Sequence, residues 1–267
     1  MLFKFIKVEI GRQLLRWQTL LAFMLMMALF IQGFEAFRPN GIVLSPDKHN
    51  YFLAFLYAQG KGPRAMLPIL LSLIISLTAG DSLALDRKTG FTQFSLLRIT
   101  YPKYIMGKII SSSIISFFFV FMTEIAAFIY GVLTFPGTVV MQYNQGIYPD
   151  YASQLFIDHP YMYILLIISN ASLMAMVVAL LSVLVSTKSK NVFIVIASPF
   201  LLSILLQFTL NALDLNRYAP LDLIGTYMLS YYKYQTLEIP GIHIALWVIL
   251  CLITYGVYTR KFRLETK

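Results

Sequence analysis

Charge is what this sequence has least of. Only 12% of the 267 residues are charged and 58% are hydrophobic, whereas a soluble domain carries about twice that charged fraction. So many apolar residues cannot be buried in one water-soluble core, and the composition therefore predicts a polytopic membrane protein. The net charge of +9 does not indicate a nucleic-acid-binding protein, because the cations lie between the apolar runs and form no single basic face.

The sequence also lacks the residues of several kinds of site. Its single cysteine, Cys251, excludes a disulfide framework or a cysteine metal site within one chain. The histidines His49, His159 and His243 have no ligand spacing, so we expect no metal site. No Gly-x-x-x-x-Gly-Lys-Ser/Thr loop is present, and Gly60-Lys-Gly-Pro lacks both the spacing and the hydroxyl residue. With no catalytic nucleophile motif either, we expect that the chain is not an enzyme and binds no cofactor itself.

Long apolar runs are what the sequence has in place of these sites. A hydrocarbon core about 30 Å thick requires about 20 helical residues. Pro68 and Pro199 lie within such runs, where bends are expected. The sequence predicts an all-α membrane protein with one transmembrane domain, residues 1–267. Its six predicted spans are residues 17–34, 64–82, 104–133, 160–185, 191–211 and 241–259.

The cations predict the orientation of these spans. Six of the 21 Lys and Arg residues lie on one side, and 15 lie on the side of the N-terminus. This asymmetry favours both termini in the cytoplasm. The low Trp and high Lys, Ile, Tyr and Asn content favours a bacterial source, so we expect the chain in a bacterial plasma membrane. The 15 are Lys4, Lys7, Arg12, Arg16, Arg87, Lys88, Arg98, Lys103, Lys108, Lys188, Lys190, Arg260, Lys261, Arg263 and Lys267.

Two further segments are predicted to lie in the membrane interface. Residues 1–16 carry an apolar stripe at helical spacing with cations away from it, which is typical of an amphipathic helix in the headgroup layer. A loosely ordered basic flank is the alternative. Residues 212–240 are too apolar for a free external loop, so short re-entrant or interfacial helices are expected before the last span. The stripe of residues 1–16 consists of Phe3, Ile6, Ile10 and Leu14.

The segment between spans two and three, residues 83–103, is both charged and amphipathic. Three apolar side chains share one helical face, while cations occupy the rest. A short helix with an apolar stripe facing water requires a cover, either headgroups or another protein. Gly90 allows such a helix to begin abruptly. The apolar residues are Phe91, Phe94 and Leu97, and the cations are Arg87, Lys88 and Arg98.

Residues 97–108 read Leu-Arg-Ile-Thr-Tyr-Pro-Lys-Tyr-Ile-Met-Gly-Lys. They resemble the segment after the second span of ABC-2 type transporter permeases, which commonly reads Leu-Pro-Ile-Thr-Arg-Lys-x-Tyr-x-x-Gly-Lys. In that family an acidic residue, basic residues and a glycine precede the segment, and Asp86-Arg-Lys-Thr-Gly90 matches this pattern. One departure is that Arg98 stands at the usual proline position, with Pro102 four residues later.

The resemblance implies a coupling helix that docks into a separate ATP-binding subunit, where ATP and Mg would be bound. It also implies two further partners, a second permease, identical or paralogous, and the lipids of the membrane. The implied activity is export of an amphipathic substrate such as an antimicrobial peptide, a drug or a lipid. The alternative is a basic loop that only enforces orientation. The implied docking residues are Asp86, Arg87, Lys88, Gly90, Phe91, Phe94, Leu97 and Arg98.

Two polar side chains are predicted at membrane depth, Glu124 in span three and Asn170 in span four. Each lies nine residues from the outer end of its span, so a hydrogen bond between them is expected. Polar and ionisable side chains are costly within the membrane and are often functional, which makes both residues candidates for the substrate path. A purely structural bond, or a protonated Glu124, is the alternative reading. The alternative function is a six-span secondary transporter or channel that uses Glu124 for ion coupling.

Overall fold

The computed structural model describes residues 2–38, 50–60, 66–137, 151–215, 218–224 and 236–265. For residues 222 and 260–265 it describes the backbone only, without the side chains. Every regular element in these ranges is a helix. The helices are α1 Leu2–Leu14, α2 Trp17–Phe37, α3 Tyr51–Gly60, α4 Met66–Ile75, α5 Ser82–Thr89, α6 Phe91–Leu96, α7 Tyr101–Thr134, α8 Ser153–Asp158, α9 Pro160–Lys188, α10 Val192–Ala212, α11 Pro220–Ile224 and α12 Glu238–Glu265.

Five of the described helices are long and apolar enough to cross a membrane. They are α2, α7, α9, α10 and the Glu238–Thr259 part of α12. A sixth is obtained if α4 and α5 are counted as one bent span. The chain is therefore an all-α membrane protein, as its composition predicts. The central helices are α7 and α9, whereas α10 and α12 present mostly exposed apolar side chains.

The bend between α4 and α5 has a local cause. A π-helical turn at Ser76–Gly80 continues α4, and the helix then changes direction by 44°. Gly80 packs directly against Ser182 of α9, so closely that a Cβ atom would overlap that side chain. The Ser182 hydroxyl donates to Ser76 Oγ at 2.8 Å. Small residues thus allow the two backbones to approach, and the measured bend falls here rather than at Pro68.

The short helix α3 was not predicted from the sequence. It lies in a region expected to be an external loop, yet eight of its ten residues are buried. The Tyr51 hydroxyl, at its start, is 2.7 Å from that of Tyr161 at the start of α9. Its other end, at Gln59, contacts Glu124, which lies ten residues before α7 ends. Both helix segments are about 15 Å long, so α3 runs into the bundle alongside the last turns of α7.

Within the segment 212–240, the structure describes one short helix, α11. Leu223 and Ile224 of α11 are buried in the main hydrophobic core, which is consistent with the apolar character of this segment. Residues 225–235 lie outside the described residues, so the re-entrant helices expected there stay a prediction.

One end of the bundle gathers segments that are distant in the sequence; we call it the α1 end. The Tyr101 ring at the start of α7 stacks on Tyr258 near the end of α12, with centroids 4.7 Å apart. Arg87 of α5 donates to the carbonyl oxygens of Ser186 and Thr187 at the end of α9, at 2.5 and 2.8 Å. The α1 end therefore contains α1, the α5–α6 segment, the start of α7 and the last turns of α9 and α12.

Candidate functional site: a buried ionic ring beside the α5–α6 segment

Four charged side chains close a ring at the α1 end, which we call the ionic ring. Glu9 and Arg12 come from α1, Asp86 from α5 and Lys108 from α7. The Lys108 ammonium lies 2.6 Å from Glu9 Oε1 and 2.6 Å from Asp86 Oδ2. The Arg12 guanidinium lies 2.9 Å from Glu9 Oε1 and 2.7 Å from Asp86 Oδ1. Each carboxylate therefore contacts both cations.

Three of the four side chains are buried, whereas the Arg12 side chain is 34% exposed, and the composition of the ring makes this burial possible. Glu9, Asp86 and Lys108 are 2%, 1% and 0% exposed. An isolated buried charge is strongly unfavourable, whereas two acids and two bases in mutual contact have no net charge. Two neutral groups add hydrogen bonds: Gln13 donates to Glu9 Oε1 at 2.6 Å, and the Tyr104 hydroxyl donates to Asp86 Oδ2 at 2.9 Å.

Arg12 remains charged in this setting. Burial by itself lowers the pKa of the Arg12 guanidinium, because it disfavours the charged form. The hydrogen bond to Asp86 and the negative charges of Glu9 and Asp86 outweigh that effect, so the pKa of Arg12 is raised above its ordinary value. The guanidinium also lies 4.9 Å from the centre of the Phe91 ring, which links α1 directly to α6.

A second ion pair extends the attachment. Arg16, between α1 and α2, binds Asp81 at the bend with both of its terminal nitrogens, at 2.7 and 2.6 Å. This two-point geometry is the strongest form of an arginine–carboxylate pair. Together with the ionic ring and the hydrogen bonds from Arg87 to the last carbonyls of α9, this pair fixes α5 to α1, α7 and α9.

The α5–α6 segment turns outward beyond these contacts. Gly90 has φ 77°, a left-handed conformation that favours glycine, and it ends α5 and begins α6. Phe94 is 68% exposed and Leu97, just after α6, is 84% exposed. Lys88 and Arg98 are exposed on either side of this pair. We call Lys88, Phe94, Leu97 and Arg98 the docking surface.

Seven of the eight residues that the resemblance implies for docking fall into two groups, and the eighth, Gly90, forms the turn between α5 and α6. Asp86 is held inside the ionic ring, and Arg87 is partly buried against α9. Phe91 is exposed on one side but contacts Arg12 on the other. The inward residues thus attach the segment to the bundle. The four residues of the docking surface are those left open to a partner.

The predicted hydrogen bond between Glu124 and Asn170 is not formed, so this prediction is wrong. Glu124 Oε2 instead accepts from Gln59 of α3 at 2.8 Å. Asn170 donates to the hydroxyl of Tyr151, just before α8, at 3.3 Å. Equal depth on neighbouring helices does not fix the direction in which a side chain points around its helix. Within the described residues, Glu124 Oε1 and Asn170 Oδ1 have no hydrogen-bond partner.

Sequence reasoning missed the ring because its members were assigned other roles. Lys108 is counted as a topology signal and as the end of the segment that resembles the permease motif, and Glu9 is given no role. A usable signal was present: Glu9 is the first acidic residue of the chain, and Arg12, Gln13 and Arg16 follow it at helical spacing. A polar stripe of that kind on a helix at the membrane edge indicates a polar partner within the protein.

The ring joins α1, α5 and α7 through paired charges. Among the described residues, no group of three or more His, Cys, Asp or Glu side chains could hold a metal ion. The charges of the ring neutralise one another. No protein-family model, curated protein or solved structure matches the chain.

Proposed function

We propose that this chain is the membrane subunit of an ABC-2 type exporter and that a separate ATP-binding subunit drives it through the α5–α6 segment. The observation that carries the proposal is the docking surface. Phe94 and Leu97 are exposed at the tip of a short segment whose base is fixed by buried ion pairs. An exposed apolar tip on a fixed base suits the transfer of force from a partner.

The proposed topology has six spans, with α4 and α5 together forming the second. The excess of Lys and Arg at the α1 end supports a cytoplasmic location for that end. The α5–α6 segment is then on the side where ATP is hydrolysed. A second copy or a paralogue would complete the translocation path, and the substrate class that the resemblance implies is amphipathic.

The proposed mechanism follows the contacts of α5. Closure of two ATP-binding subunits would displace α6, and the ionic ring would carry this displacement to α1 and α7. Arg87 would carry it to α9 through the carbonyl oxygens of Ser186 and Thr187. Tilting of these helices as rigid bodies would then open the path.

The test is co-purification from mild detergent followed by an ATPase assay. Phe94→Glu and Leu97→Glu should each abolish recovery of an ATP-binding subunit, because a carboxylate cannot enter an apolar groove without a partner. Phe193→Glu is the matched control, since Phe193 is 84% exposed near the α1 end but lies on α10. We expect wild type and Phe193→Glu to retain equal ATPase activity.

Recovery of no ATPase with the wild-type chain would overturn the proposal.

The second candidate, a secondary transporter or channel, is favoured by one observation: Glu124 is 1% exposed, and among the described residues only the Gln59 amide donates a hydrogen bond to it. In that case Glu124→Gln should abolish proton- or ion-driven flux in vesicles. Under the ABC-2 proposal the same substitution leaves recovery of the ATP-binding subunit unchanged.

A further inference from the structure

The charges at the α1 end are sorted by sign. Its three described acidic side chains, Glu9, Asp81 and Asp86, are 2%, 1% and 1% exposed, and each is paired with a cation. Among the described side chains of residues 2–16, 81–108 and 183–193, every exposed charged group is therefore a cation. These exposed cations are Lys4, Lys7, Lys88, Arg98, Lys103, Lys188 and Lys190.

We infer that the surface that receives α6 is acidic: an apolar pocket for Phe94 and Leu97 with carboxylates around it that face Lys88 and Arg98. This inference rests on the proposed function, because it describes the groove of the ATP-binding subunit. The resemblance implies an ATP-binding partner but does not give the charge of the groove that receives α6.

The argument is one of charge complementarity. Lys88 precedes and Arg98 follows the exposed apolar pair, and both side chains are exposed. Charges around an apolar contact steer association and exclude partners of the wrong sign. A basic groove would meet only like charges here, because the nearby carboxylate of Asp86 is buried in the ionic ring. The ring thus has a second consequence, since it removes negative charge from the docking surface.

A membrane surface fits α1 better than α6. On α1, Lys4 and Lys7 are exposed next to Phe3 and Val8, which are 78% and 68% exposed, and α2 follows three residues after α1 ends. That face combines cations with apolar side chains at the edge of a span, as interfacial helices do. The exposed face of α1 thus suits a membrane surface, which leaves α6 for a protein partner.

The experiment measures the dissociation constant between the chain, in nanodiscs of phosphatidylcholine, and the co-purifying ATP-binding subunit at 50 and 500 mM NaCl. For the wild type we expect weakening by about tenfold at the higher salt, because salt screens exposed charges. Lys88→Glu combined with Arg98→Glu should weaken binding by about tenfold at low salt and remove most of the salt dependence. Lys4→Glu combined with Lys7→Glu is the matched control and should change binding less than about twofold.

The outcomes separate the inference from the proposal on which it rests. If the subunit binds with no salt dependence, or if the Lys88 and Arg98 variant binds as the wild type does, the inference is wrong and the proposed function stands. If no ATP-binding subunit is recovered, both fail. An effect of the Lys88 and Arg98 variant that appears only in nanodiscs containing phosphatidylglycerol would assign the surface to lipid and would also overturn the inference.

Discussion

Buried polar groups occur in two regions of this molecule, and the two regions treat them differently. In the ionic ring, each carboxylate contacts two cations, and Gln13 and Tyr104 donate further hydrogen bonds. In the interior, Glu124 has one bond, from the Gln59 amide, and its Oε1 has no partner among the described groups. Full pairing fixes helices in one arrangement, whereas partial pairing leaves a group able to change its partner or protonation state. The ring is thus suited to hold its helices in one arrangement, whereas Glu124 keeps one oxygen without a hydrogen-bond partner among the described residues.

The largest effect is expected from Lys108→Met. This change leaves Glu9 and Asp86 buried next to each other with only Arg12 to neutralise them. Removing one partner of a buried ionic network costs about 3–5 kcal/mol. Unfolding by guanidinium chloride in detergent measures the loss of unfolding free energy. Lys103→Met, an exposed site one turn earlier on α7, should stay within about 0.5 kcal/mol of wild type. Equal stability of the two variants would mean that the ring does not hold the α1 end together.

Gly80→Ala is expected to have an intermediate effect, at the crossing of α4 and α9. The added methyl would overlap the Ser182 side chain, and forcing extra volume into a packed contact costs about 1–3 kcal/mol. Gly241→Ala is the control, because no atom of the described structure lies within 4 Å of a Cβ built there. Thermal unfolding of both variants checks this prediction. If Gly80→Ala is as stable as Gly241→Ala, the close crossing is not required.

The smallest effect on stability is expected from Glu124→Gln. A glutamine oxygen can still accept the hydrogen bond from Gln59, and no ion pair within the described structure is lost. The change in unfolding free energy should therefore be below about 1 kcal/mol. The same unfolding assay measures it beside Lys108→Met. A loss as large as that of Lys108→Met would show that Glu124 is as firmly fixed as the ring, and the contrast between the two regions would disappear.

The five long apolar helices and the turn at Gly90 could be predicted from the sequence, because apolar length and a glycine between charged and apolar residues are local signals. The ring could not be predicted as readily, since Glu9 and Lys108 are 99 residues apart and meet only when α1 packs on α7. Asp86 illustrates the limit: its neighbours indicate a surface segment, yet its own side chain points inward. Helix α3 was missed because a mostly apolar run of ten residues is too short to span a membrane, although it suffices for a buried helix inside the bundle.

Photo-crosslinking tests the central claim most directly, because it reports which surface an ATP-binding subunit touches. Benzoylphenylalanine would be placed at position 94 or, as the control, at position 193, and the chain would be irradiated in native membranes. The account predicts a covalent adduct with an ATP-binding subunit from position 94 and none from position 193. Absence of that adduct from position 94, or an equal yield from position 193, would contradict it.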